Sequence, residues 1–205
     1  SVLINLDSED EGELFIGCSG GIDSVAEFTY KTVEVPQGYF FFKVDIKGLQ
    51  GGHSGGDIHL GLGNANKILN RFLHLLDKKY DLYLCEIHGG NSRNAIPREA
   101  IAICAIPEKY KHDVRADLNV FAAEIENELG AIEPNMKFIL ESESAHKHAI
   151  DKVTMEKLIK TLYAVPHGVQ AMSLDMPGLV ETSTNLASIK MKPEQLIKTI
   201  KNYSN

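Results

Sequence analysis

Basic patches, paired cysteines and long apolar runs are all missing from this chain of 205 residues, and each gap removes a class of function. Lys and Arg number 21 against 28 Asp and Glu, for a net charge of -7, and no basic stripe appears. Nucleic-acid binding ordinarily needs clustered cations to neutralise phosphates, so the balance argues against a nucleic-acid partner. Cys18, Cys85 and Cys104 form no CxxC pair and leave an odd count for any disulfide framework, which points to a reducing cytoplasm. No stretch has the charged start and apolar core of a secretion signal, and none approaches the roughly 20 apolar residues that span a bilayer. A soluble, cytoplasmic protein with no membrane partner is expected. No Pro/Ser/Gly-rich linker divides the chain either, which predicts one continuous sheet or two closely packed ones.

What is present is the composition of a globular domain, 43% hydrophobic and 24% charged, arranged in short periodic runs. Residues 2–6 read as a buried strand ending in an acidic turn, with five carboxylates in the seven residues 7–13. Residues 26–36 and 39–47 flank Gln37-Gly38 and predict a hairpin. Apolar positions recurring every three or four residues predict helices over 60–77, 108–129 and 151–164. Further strands are expected at 82–87, 100–106, 136–140, 168–173 and 179–190, and a short helix in the tail 191–205. The order strand, helix, strand, strand, helix, strand is the ferredoxin-like pattern of an α+β fold, a mostly antiparallel sheet with helices on one face. It occurs almost twice, over 39–106 and again over 136–190, which suggests two related halves.

Chemistry is best sought in the stretch Gly48-Leu49-Gln50-Gly51-Gly52-His53-Ser54-Gly55-Gly56-Asp57. Five glycines among these ten residues let the backbone approach a ligand closely, and one imidazole sits at the centre. A neutral His can donate an N–H to a developing oxyanion; the competing reading is a flexible connector with an exposed His. The connector 88–99 is rich in polar donors. Asp7, at the carboxyl end of an apolar run, stands where sheets place ligand-binding groups, against the simpler reading of a solvated acidic turn. His146 and His148, two apart among acidic residues, form a weak candidate metal pair. His88, His112 and His167 fall in connectors or on helix faces, where exposure is the usual state.

Four stretches, NLDSEDEGE, GLQGGHSGGDI, GGNSRNAIP and GLVETSTNLA, together resemble the Xaa-His dipeptidases, the aminoacyl-histidine or bacterial carnosinase-like group of two-zinc metallopeptidases. The resemblance implies a lid domain over 23–190, preceded by a catalytic-domain remnant at 1–22. It implies that His53 is the lid His that donates to the scissile carbonyl oxyanion, that Asn94 helps hold the substrate, and that Asp7 is a zinc ligand. It further implies two zinc ions and a dipeptide substrate in an intact enzyme, a homodimer through the lid, and a catalytic domain supplied elsewhere. The family's other zinc ligands and its general base match nothing here, so this chain alone is expected to be inactive and to hold no stoichiometric zinc. Where better-known relatives clamp the substrate carboxylate with an Arg, Ala171 stands near the matching position, leaving Arg93 and Arg98 as candidates. The alternative function is a self-standing ferredoxin-like module for association or small-ligand binding.

Overall fold

The computed structural model describes residue 12 and residues 18–146, 148–192 and 195–204, the last segment as backbone. The strand expected at 2–6, and Asp7 with it, lie outside the described residues.

Alternation of the side chains decides the centre of the molecule. The chain runs through β1 (Gly20–Thr29) and β2 (Thr32–Glu34) into β3 (Tyr39–Lys47), where burial switches at every residue. Phe40, Phe42, Val44 and Ile46 therefore share one face, which is the period-two signature of a strand with one side on the core. After the short strand β4 (Gly52–His53) comes helix α1 (Ala65–Lys79), which buries Ile68, Leu69, Phe72, Leu73 and Leu76. Then follow β5 (Tyr83–Gly89), β6 (Ala95–Ile96), β7 (Ala100–Pro107), α2 (Lys111–Leu129) and β8 (Lys137–Ser142). Strands β5, β7, β3 and β8 lie in that order, all antiparallel, and with α1 and α2 they complete one ferredoxin-like unit.

The remainder extends this sheet. Strand β9 (His148–Ile150) pairs with β2 as a separate ribbon, and α3 (Lys152–Ala164) packs on α1. Strands β10 (Gly168–Met172), β11 (Val180–Lys192) and β12 (Gln195–Ser204) follow, and the full order becomes β1-β12-β11-β5-β7-β3-β8 with β10 beside β11. The sheet is continuous and antiparallel, as expected. The two suggested halves do not separate, because β8 is used to close the first unit against β3. The three helices stand where periodicity put them, with trimmed starts. Residues 58–60 and 108–110 form 3₁₀ turns, and Asn64 and Asp151 cap α1 and α3 by accepting from the N–H of Lys67 and Thr154.

Two expectations fail. The tail is not helical: Gln195–Ser204 is a strand between β1 and β11. The 26–36/39–47 hairpin does not form either, since β3 takes β7 and β8 as neighbours while β1 pairs with β12. Long-range pairing decides both: β1 takes β12 from the far end of the chain, and β3 takes β7 and β8 instead of the strand before it.

Phe72 is fully buried on α1 and meets the Phe121 ring of α2 at 5.2 Å, so it joins the two helices over the core. Phe72→Ala should destabilise the fold by about 3–5 kcal/mol. A urea midpoint lowered by that amount at unchanged slope is the expected result.

Candidate functional site

The Gly-rich stretch folds back on the connector 88–99 and is not a flexible link. Gly48 takes φ +80°, and a Cβ there would strike the Asn135 carbonyl oxygen; at Gly51, φ +64°, it would strike the Arg98 side chain. With the backbone that close, β4 pairs antiparallel with β6, His53 opposite Ala95, and the Ser54 N–H donates to the Asn94 carbonyl at 2.9 Å. His53 and Asn94, forty-one residues apart by their numbers, thus become neighbours on one small ribbon, both exposed, while Ser54 is fully buried.

His53 is held in one orientation. Its own N–H donates to the Asp57 carboxylate at 2.7 Å, and the Asp57 N–H donates back to the His53 carbonyl at 2.9 Å. Its ring Nδ1 accepts from the N–H groups of Gly56 at 3.0 Å and Gly55 at 3.3 Å. A nitrogen that receives two donors carries no proton in the neutral ring, so the tautomer assigned from this network has its N–H at Nε2.

Two buried side chains fasten the loop to the body. The Glu133 carboxylate, 2% exposed, accepts from Gln50 N–H at 2.7 Å and Gly63 N–H at 2.8 Å, closing the loop at both ends. The Gln50 side chain also donates to the Ile132 carbonyl. On the other side the fully buried Asn185 of β11 donates to the Ala95 carbonyl at 2.8 Å. A cavity of about 390 Å³ opens along the connector, lined by Gly48, Gly90, Asn91, Ser92 and Arg98 among others. Neither Glu133 nor Asn185 stood out in the sequence as part of the site; Asn185 at least lies within the GLVETSTNLA stretch.

The remaining candidates scatter. Arg93 pairs with Asp23 at 3.2 Å, and the Arg98 Nε donates to the Leu49 carbonyl at 3.2 Å. His146 and His88 each lie near Glu86, at 3.8 and 3.9 Å. Among the described residues no group of three or more His, Cys, Asp or Glu is gathered closely enough to hold a metal ion. Cys85 and Cys104 are buried thiols, and burial pushes Cys85 up to about 12. His167, expected to be exposed, is instead largely enclosed: its Nδ1 lies 3.2 Å from the Asn64 amide nitrogen, and its ring bonds the backbone of Leu62. Burial first, then the nearby Lys67 charge, pushes its imidazole down to about 4.

Residues 44–133 match the family model described as a peptidase dimerisation domain, of the M20 type. The relatives are dipeptidases. Over 190 residues the chain is 43% identical to the cytosol non-specific dipeptidase of Escherichia coli (strain K12), covering 93% of this chain and 39% of that protein. The crystal structure of aminoacylhistidine dipeptidase from Vibrio alginolyticus superposes with a TM-score of 0.92 at 37% identity, over 97% of this chain and 40% of that one. The chain therefore spans about two-fifths of the length of these relatives.

Removal of the Glu133 carboxylate would leave two backbone donors without their acceptor. Glu133→Ala should cost about 2 kcal/mol or more, and hydrogen exchange should show the Gln50 and Gly63 amides opening before the sheet does. For His167 the sign follows from its two states. The unfolded chain takes up a proton near the ordinary value of 6.5 and the folded chain only near 4. Its contribution is complete above about 6.5 and is lost as the pH falls toward 4. Urea midpoints at about pH 7 and about pH 4.5 should show a smaller acid-side loss in His167→Gln than in the parent protein.

Proposed function

We infer that this chain forms the substrate-covering lid of a zinc-dependent, cytoplasmic dipeptidase acting on Xaa-His dipeptides, with the catalytic domain supplied by other sequence. His53 donates its Nε2–H to the carbonyl oxygen of the scissile bond, and Asn94 beside it holds the bound peptide. Peptide hydrolysis passes through a tetrahedral adduct in which that oxygen becomes negative. A donor fixed in advance toward it stabilises the transition state more than the substrate. The observation that carries this reading is the pair of glycine N–H groups on His53 Nδ1, which leaves Nε2 as the protonated nitrogen.

The names of the relatives support a dipeptide substrate, and the same two names leave open how strictly the second residue must be His. Asp7 is proposed as one of the zinc ligands, the others being supplied by the catalytic domain. A second copy of the chain is the proposed partner. The description of the family supports it, and so does the position of β8 at one edge of the sheet.

In the full-length protein, His53→Ala should lower kcat by about 10²–10³ while KM, folding and bound metal stay close to the parent values. Kinetics on a carnosine-type dipeptide and metal analysis of the same preparation provide the check. An unaltered kcat would remove His53 from the reaction, and loss of metal would make it a ligand instead. A parent protein that hydrolyses no dipeptide would favour the association module.

A further inference from the structure

Strand β11 buries Ser183, Thr184, Asn185 and Ser188, a density of polar side chains that a strand core tolerates only where partners are waiting. On one side β11 pairs with β12 along most of its length. On the other its ladder with β10 stops at Thr184, and its ladder with β5 starts at Ile189. Over 185–188 that side therefore has no ladder partner among the described residues. Its register against β12 also shifts between Leu186 and Ser188, the kind of irregularity that re-aims a side chain.

Side chains fill this gap. Asn64, the N-cap of α1, and Asn66 both donate to the Leu186 carbonyl at 3.2 Å. The Asn64 amide also donates to the Asn185 side-chain oxygen at 3.3 Å, which fixes the orientation of the Asn185 amide. With its oxygen engaged there, Asn185 directs its Nδ2 to the Ala95 carbonyl at 2.8 Å. Ala95 adjoins Asn94 and stands opposite His53 in the ribbon, so this bond ties the ribbon directly to the central sheet.

We propose that Asn185 is a positioning residue, holding His53 and Asn94 in reacting geometry through the Ala95 carbonyl. The inference rests on the roles proposed above for His53 and Asn94. Asn185 lies beneath the ribbon with no exposed surface and acts through the backbone at Ala95. Glu133 closes the base of the loop, whereas Asn185 sets where the ribbon at its tip stands.

The test uses the full-length protein with Asn185→Ala and, as a smaller perturbation that keeps a polar group, Asn185→Ser. Hydrogen–deuterium exchange read by mass spectrometry should show peptides over 50–57 and 92–97 exchanging about tenfold faster. Peptides over 40–46 and 100–106 should hold their protection. In kinetics on the dipeptide, kcat should fall by about tenfold to a hundredfold, with a smaller rise in KM from the displaced Asn94. In a His53→Ala background the same substitutions should lower kcat by clearly less than in the parent, because the part of their effect that passes through His53 is already gone and only the part through Asn94 remains.

Unchanged exchange in the ribbon would overturn the proposal. So would loss of protection across the whole sheet in both variants, or an equal fall in kcat with and without His53. If the parent protein hydrolyses no dipeptide, the functional reading fails by itself, and the exchange experiment still decides whether Asn185 fixes the ribbon.

Discussion

Helix α1 packs against the sheet and against both other helices, so the side-chain amides of Asn66, Asn70 and its N-cap Asn64 donate inside the protein, while the buried Oδ1 atoms of Asn66 and Asn70 accept no hydrogen bond among the described residues. A buried polar group left without a partner costs about 1–3 kcal/mol, enough to decide how neighbouring elements dock. Asn64 and Asn66 reach the Leu186 carbonyl, and Asn70 reaches the Ile159 carbonyl of α3 at 3.0 Å. Lys67 points its ammonium at the carbonyls of Leu162, Tyr163 and Val165, capping the end of α3. The Ala65 N–H donates to the Pro97 carbonyl, just past β6. Apolar contact gives the helix its depth, but these polar contacts fix where β11, α3 and the ribbon lie relative to it.

Periodicity made the helices and the central strands legible because each is a local statement. Phe40, Phe42, Val44 and Ile46 alternate, and Ile68, Leu69, Phe72 and Leu76 recur at helical spacing, whatever packs on them. The tail misled for the same reason. Leu196, Ile197 and Ile200 also suit a helix face, and only the presence of β1 and β11 on either side makes 195–204 a strand. The hairpin at 37–38 failed on a similar competition: the residues suited a turn, but Gly38 lies at the entry to β3, whose neighbours arrive from more distant sequence. Burial of His167 was hidden too, because Asn64 and Leu62 reach it from about a hundred residues away.

Within the candidate site, each side chain was readable and the bonds that place it were not. His53 stood out among glycines, and Asn94 stood out in a donor-rich connector. Strands β4 and β6 are two residues each, too short to show any period, so nothing local announces that they pair. Glu133 lies 83 residues from the amide it accepts, and Asn185 lies 90 from the carbonyl it binds. A carboxylate shortly after a helix end and an amide in a buried strand look ordinary until the chain has folded. Asp7 was equally legible as a residue, but it lies outside the described residues.

Strands β1 and β12 run side by side from Gly20 opposite Ser204 to Thr29 opposite Gln195. Paired antiparallel strands keep opposing Cα atoms only about 5 Å apart. Polypeptide joined to both would enter and leave through a single stem, and closing the intervening excursion of more than 160 residues would add little entropic penalty to the host fold. Because β12 also pairs with β11 along its whole length, that stem is continuous with the central sheet, and its tilt is passed through β11 to Asn185 and so to the ribbon that carries His53 and Asn94.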